Sequence, residues 1–202
     1  MSRASASAQQ ITIPASMREE HHEIHNALER ATQASGNVGA AARALATVLH
    51  PHFEREEQIA LPPLGLLAPL ARGEFAPAML DVLPMTDSLR SELPRMLAEH
   101  ATIRAATAKL GEVARAEGNT AVARLAEQLA LHARSEEELF YPAAVLVGDI
   151  VRARSAAMKK RDSQCISSDS GASGHAPRVQ STMAPQFDQG PWNSTGTSAA
   201  CA

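Results

Sequence analysis

Two segments of the chain repeat one combination of histidine, glutamate and proline. They are HFEREEQIALP (residues 52–62) and HARSEEELFYP (residues 132–142), and both fit the pattern H-x3-E-E-x4-P. Residues four apart lie on the same face of a helix, so each segment directs an imidazole and a carboxylate the same way. Mixed imidazole and carboxylate groups are typical ligands of transition-metal ions.

A second pair of segments is also repeated. EHHEIH (residues 20–25) is similar to EHATIR (residues 99–104), with a Glu-His pair and an isoleucine at the same spacing. Each of these segments precedes one of the longer repeats. The chain therefore has two similar halves, and we predict two helix hairpins related by a pseudo-two-fold axis.

The repeated polar residues interrupt stripes of apolar residues. Before His132, for example, Val122, Leu125 and Leu129 recur at helical spacing, and the other three segments have comparable stripes. Such a stripe faces the core of a bundle. The candidates that we expect to point inward are His21, His25, His52, Glu56, His100, His132 and Glu136.

Buried carboxylates favour a metal centre at this place. An ionised carboxylate is costly to bury unless it is paired or binds a metal ion. A single buried histidine is usually a hydrogen-bonded core residue, but here all four predicted helices contribute one. Seven candidate ligands suit two ions better than one.

The ligand types narrow the choice of metal. Cys165 and Cys201 both lie near the C-terminal end, so a thiolate zinc site is not indicated, and calcium and magnesium prefer oxygen ligands. Iron, manganese and zinc remain. A ferritin-like di-iron bundle would need Glu-x-x-His on two helices. The sequence offers that spacing only at Glu19/His22, with His22 on the polar stripe of Arg18 and Glu29, so this alternative fails.

The elements that must position these residues are four helices. Ser16 and Glu19 form a capping-box pattern at the first helix, Gly36 ends that helix, and Asn119 or Thr120 can cap the fourth. We predict an all-α, antiparallel up-down-up-down four-helix bundle over residues 16–153. Residues 1–15 are expected to be a flexible segment, and residues 62–86 a connector.

Residues 154–202 are rich in small and polar side chains, and from this composition we expect a disordered tail. Binding of a protein partner by this tail remains one of the alternatives. The net charge of −3 offers no basic surface for nucleic acid, and no apolar run is long enough to span a membrane. The first residues lack a secretory signal, so we expect a cytoplasmic protein.

The H-x3-E pairs, together with the Glu-His pairs, resemble the hemerythrin family and its wider HHE cation-binding relatives. The resemblance implies two iron ions joined by an oxo or hydroxo bridge, in preference to manganese or zinc. It implies His21, His52, His100 and His132 as terminal ligands, with Glu56 and Glu136 bridging the ions. His25 would be the fifth histidine, on the first helix rather than the third, where Arg104 stands instead.

The resemblance implies a protein that binds or senses dioxygen, or a similar small ligand, rather than an enzyme. With five histidines one coordination position would stay open for the ligand. Without His25 two would stay open, which favours redox chemistry. A di-iron oxidase, a peroxidase or a nitric-oxide-handling enzyme is thus one alternative, and an iron-storage or iron-sensing module is another.

Several residues near the candidate ligands are expected to have other roles. Glu57 and Glu137 are expected behind the ligands or in a salt bridge with Arg104, whereas Glu20 and Glu99 are expected to face solvent. We expect His50 to be exposed on the opposite side of its helix from His52. Tyr141 is interpreted as a packing residue or as a donor to the bound ligand.

Overall fold

The computed structural model describes residues 11–169 of the chain. The expectations for residues 1–10 and 170–202, including most of the predicted tail, lie outside this range. The described helices are α1 (Ala15–Thr32), α2 (Gly36–Ile59), α3 (Leu67–Ala71), α4 (Leu83–Ala116), α5 (Thr120–Ser135) and α6 (Tyr141–Asp169). Short 3₁₀ turns at Pro62–Leu66 and Pro77–Val82 flank α3, and a π-helical turn at Glu136–Phe140 joins α5 to α6.

The long helices form a four-helix bundle, which confirms the predicted fold class. α1 packs beside α2 and α5, and α4 packs beside α2 and α5. α5, the π-helical turn and α6 follow one another without a break and together form the fourth helix. Among the described residues, no helix has an apolar stretch long enough to cross a lipid bilayer.

The fourth helix is longer than the sequence pattern indicates. We expected it to end near Ala153, but α6 continues to Asp169. The Arg152 guanidinium reaches Asp87 at 2.6 Å, and Arg154 donates to the backbone carbonyls of Glu74 and Leu70. These contacts attach the helix around Ala153 to α4 and to the connector. The low apolar content of the following segment does not predict them.

The helix ends follow local sequence signals in part. Gly118 adopts a left-handed φ of 68°, and the Asn119 N–H donates to the Ala114 carbonyl at 2.8 Å, which terminates α4. The Asn119 side chain then accepts from the Val122 N–H and caps α5, as predicted. The capping box of Ser16 is wrong, because α1 begins at Ala15 directly after the extended Pro14 and has no side-chain cap.

In both repeated segments the backbone forms a wider turn directly after the first glutamate, which is Glu56 in one segment and Glu136 in the other. The Glu56 carbonyl accepts from the Leu61 N–H, and the Glu136 carbonyl accepts from the Tyr141 N–H, each five residues along. This i to i+5 bond is the π-helical pattern, which is often found at functional sites. Proline follows in both cases and cannot donate a helical hydrogen bond. The H-x3-E-E-x4-P repeat thus places the same i to i+5 bond in both halves, although α2 ends there and the fourth helix continues into α6.

The hydrophobic core is divided along the bundle axis. One cluster of buried residues includes Leu28, Leu45 and Leu110, and another includes Leu61 and Met96. His21, His52, His100 and His132 lie in sequence between the apolar residues of these two clusters. The bundle therefore encloses a polar layer between two apolar ones, and α1, α2, α4 and the fourth helix all contribute to that layer.

Candidate metal centre

Six ionisable side chains form the buried polar layer. They are His21, His52, Glu56, His100, His132 and Glu136, and each is between 0% and 3% exposed. α1 and α4 each supply one histidine, while α2 and the fourth helix each supply a His-x3-Glu pair. Such groups are rarely buried together unless something compensates their charge.

The six side chains divide into two groups that share both carboxylates. Ligand atoms of His21, His132, Glu56 and Glu136 lie within 4.8 Å of one another. The same limit holds for His52, His100, Glu56 and Glu136. Each group can hold one ion, and Glu56 and Glu136 are placed to contact both.

The inner ring nitrogens of the histidines converge on these carboxylates. The His132 Nε2 is 2.9 Å from a Glu136 oxygen, and the His21 Nε2 is 3.5 Å from the same oxygen. On the other side, the His52 Nε2 is 3.3 Å from Glu56, and the His100 Nε2 is 3.5 Å from Glu136. All four Nε2 atoms thus point to one small region.

The outer ring nitrogen of each histidine faces a second carboxylate. The Nδ1 atom of His52 is 3.0 Å from Glu99, and that of His100 is 2.9 Å from Glu137. By the same pseudo-symmetry, His132 lies 3.2 Å from Glu20 and His21 lies 3.4 Å from Glu57. The hydrogen bonds of Glu99 and Glu137 hold the hydrogen of His52 and His100 on Nδ1 and leave the Nε2 lone pair free for a metal ion. The donor set therefore fits two metal ions.

Buried polar atoms without hydrogen-bond partners also indicate a site for metal ions. Among the described residues, both ring nitrogens of His21 and of His132 have no hydrogen-bond partner, and neither do one oxygen of Glu56 and one of Glu136. Some of these atoms approach one another closely, such as His132 Nε2 and Glu136, but without hydrogen-bond geometry. Buried polar atoms left in this state are costly, and an ion between them would satisfy them.

The charges of the cluster shift its ionisation strongly. Burial opposes the charged form of His100, but Glu136 and Glu56 outweigh it and raise the pKa of His100 to about 10. Burial also opposes the charged form of His132, and Glu136 outweighs it and raises this pKa to about 9. In return, His100, His132 and His21 hold the pKa of Glu136 well below its usual range despite its burial. Without metal, protons on His100 and His132 supply the positive charge that balances the buried carboxylates.

The two halves of the centre differ in one side chain each. The fully buried Tyr141 hydroxyl donates to Glu56 and lies 3.0 Å from His100 Nε2 and 3.4 Å from His52 Nε2. Burial, Glu56 and Glu136 raise the pKa of this phenol far above its usual range. The other half has Phe53 stacked on His21, with ring centroids 4.2 Å apart. One half thus holds a phenol, and the other an apolar ring.

The structure does not bring His25 into the cluster. His25 is exposed, and its ring lies beside that of His50, which is half-buried rather than exposed, at a centroid distance of 4.7 Å. After His21 the buried face of α1 continues through Ile24 and Leu28, so His25 lies to the side of that face. Burial and the charge of His25 together lower the pKa of His50.

Two outer carboxylates lie where the sequence pattern did not predict them. Glu20 and Glu99 were expected to face solvent, but each lies against the Nδ1 of a buried histidine. The signal was present, since both residues directly precede a ligand candidate in the EH repeat. Glu137 follows its expectation, because it contacts His100 and also pairs with Arg104.

Comparison with known families agrees with this geometry. The chain matches the family described as hemerythrin HHE cation binding domain over residues 12–144, which is more than half of its length. The protein therefore belongs to the hemerythrin HHE cation-binding family. This family implies a site for metal cations, and the buried histidine and glutamate cluster is the candidate for it. No curated protein and no solved structure matches the chain.

Proposed function

We propose that the protein holds two iron ions and uses them to bind or sense dioxygen or a similar small ligand. The observation that carries the proposal is that two groups of four buried ligands share Glu56 and Glu136. Shared carboxylates hold two ions close together, which is the arrangement needed for both ions to act on one small molecule.

Iron suits the ligands better than the other metals considered. Each group offers two imidazoles and two carboxylates and no thiolate, a mixture that iron, manganese and zinc accept. A structural zinc ion takes four ligands of its own, whereas these groups share two of theirs. When bound, two iron ions would supply reversible electron exchange with dioxygen.

The surrounding residues give the ligand a dry and ordered place. Leu49, Ile103 and Leu129 are at most 2% exposed and lie one turn from the ligands in their helices. Apolar walls exclude water, which would otherwise compete for open coordination positions. With four histidines in the cluster rather than five, two coordination positions would stay open, which favours the redox alternative.

A redox enzyme is the second candidate, and Tyr141 is the observation that favours it. Its hydroxyl is the one phenol among the described residues, and it lies beside His100 and Glu56 inside the centre. A hydroxyl at this place can hold or deliver a proton to a ligand as it is reduced. We expect Tyr141→Phe to keep both iron ions but to slow any peroxide turnover by at least about 100-fold, as loss of a proton donor does.

Metal analysis with optical spectroscopy tests the proposal. The purified protein should contain two iron ions per chain, with near-ultraviolet charge-transfer bands that bleach on reduction and return with oxygen. One zinc ion or no metal would overturn it. Rapid peroxide turnover without a return of the original bands on reoxygenation would instead support the redox enzyme.

A further inference from the structure

His25 and His50 lie together in a pocket outside the buried centre. The pocket has a volume of about 300 Å³ and lies between α1 and α2. Its lining includes His25 from α1, and His50 and Glu54 from α2. His50 and Glu54 are four residues apart, so they share one helix face, as His52 and Glu56 do inside the bundle.

The two imidazoles lie beside each other, and one of them has an unpaired buried nitrogen. Their ring centroids are 4.7 Å apart, and the planes are tilted by 38°. Within the described residues, the Nε2 atom of His50 is buried and has no hydrogen-bond partner. A buried, unpaired ring nitrogen beside a second imidazole needs a donor or a metal ion.

Carboxylates complete the surroundings of this pair. Glu54 lines the pocket, and Glu29 acts electrostatically on His50 together with Glu54. Arginine and lysine are absent from the pocket lining within the described residues. The pocket therefore attracts cations, and two imidazoles with a nearby carboxylate select a transition-metal ion over calcium or magnesium.

The same pocket reaches the buried centre. His21 is part of its lining and is also a ligand candidate of the centre, and Glu57 lines the pocket while facing His21 Nδ1 at 3.4 Å. Phe53 also lines the pocket and stacks on His21. The ligands of the centre are almost fully buried, so an ion needs a route to them from solvent.

We propose that His25, His50 and Glu54 form a solvent-facing site for a divalent transition-metal ion, and that ions bind there on their way to the buried centre. The site itself is independent of the function proposed above. The uptake role rests on that function, because it requires a buried centre that takes metal.

Zinc binding tests the site. Equilibrium dialysis of the purified protein against Zn²⁺, with iron and zinc both counted, should show one exchangeable zinc ion per chain and unchanged iron. The double variant His25→Ala/His50→Ala should bind this ion at least tenfold more weakly, and Glu54→Gln should weaken it less. Asn26→Ala and Glu23→Gln, which alter exposed positions of α1, are the matched controls and should bind zinc as the parent does.

Equal zinc binding by the parent and the double variant, or no exchangeable zinc in the parent, would overturn the site. Protein that contains no iron would count against the proposed function alone. The zinc comparison would still decide this inference, because it depends on the difference between parent and variant.

Uptake of Fe²⁺ by metal-free protein tests the route. We expect the double variant to fill its buried centre about tenfold more slowly, at the lower end of the effect of charged clefts on association rates. Its final iron content should equal that of the parent. Unchanged uptake rates together with lost zinc binding would reject the route.

Discussion

Each buried histidine uses its two ring nitrogens differently, and this division defines the centre at the residue scale. The Nε2 atoms point to Glu56 and Glu136, whereas the Nδ1 atoms face Glu20, Glu57, Glu99 and Glu137. Inner carboxylates are thus placed to contact ions, and outer carboxylates orient the rings. The two kinds of glutamate should respond differently to substitution.

Removing an inner carboxylate should cost an ion. We expect Glu136→Gln to bind no more than one ion per chain, because an amide cannot bridge two ions as a carboxylate can. The measurement is metal content after purification. Glu138→Gln, an exposed change in the same π-helical turn, is the control and should retain two ions. Two tightly bound ions in Glu136→Gln would contradict the bridging assignment.

Removing an outer carboxylate should weaken metal binding without abolishing it. Glu99 accepts from His52 and is held by Arg55 and Arg95, and these contacts lower its pKa despite partial burial. We expect Glu99→Gln to lower metal affinity by about 10- to 100-fold, measured by competition with a chelator. Glu92→Gln is the control, because Glu92 pairs with Arg55 yet has no contact with His52 among the described pairs. Equal affinities for the two variants would show that Glu99 does not support the centre.

At the scale of the helices, the repeated π-type turns and the close packing of α6 place the site. The turn after Glu136 carries Tyr141 into the centre, and α6 then packs on α4. The two helices approach each other closely at Gly148. A Cβ atom built there would lie 2.2 Å from Thr86 Oγ1 and 2.7 Å from Thr86 Cβ. Because Thr86 is itself buried, it has little room to move.

A methyl group at position 148 should therefore separate α6 from α4. We expect Gly148→Ala to lower the free energy of unfolding by about 1–3 kcal/mol, the usual cost of overpacking. Chemical denaturation followed by circular dichroism measures it. Ala153→Ser, on an exposed position of the same helix, should change stability by less than about 0.5 kcal/mol. Equal stability of the two variants would mean that the helices do not pack this closely.

At the scale of the whole molecule, the polar layer links folding to protons and metal. In the metal-free state, Glu136 holds protons on His100 and His132, whose pKa values rise to about 10 and about 9. The unfolded chain lacks these contacts, and its histidines have pKa values of about 6.5. Metal ions bound to the Nε2 atoms would replace those protons and remove the dependence on them.

The stability of the metal-free protein should therefore fall as pH rises. The folded pKa values lie above the unfolded ones, so this contribution is fully present below about pH 6.5 and is lost as pH rises through 9 to 10. Denaturant unfolding of chelator-treated protein, measured at several pH values from 6 to 10, should show this decline in the free energy of unfolding. Metal-loaded protein is the control, and its free energy of unfolding should decline less over the same pH range. A metal-free stability that rises over this interval would contradict the assigned contacts.

The sequence alone determined the fold class and the kinds of ligand. Helical periodicity fixes which faces are apolar, and the repeated H-x3-E-E-x4-P and EH segments mark the polar residues that interrupt those faces. Residue type and spacing select seven candidates, which are His25 and the six residues His21, His52, Glu56, His100, His132 and Glu136. The tertiary structure adds that all six are buried together.

Only the tertiary structure decided the positions of residues at the edges of those faces. His25 is four residues from His21, and Glu99 is adjacent to His100, so periodicity alone ranks His25 higher. The buried face of α1 continues from His21 through Ile24, however, and His25 lies beside that face in the pocket between α1 and α2. Glu99 and Tyr141 reach buried histidines because neighbouring helices bring those rings to them, which depends on packing between helices rather than on spacing within one.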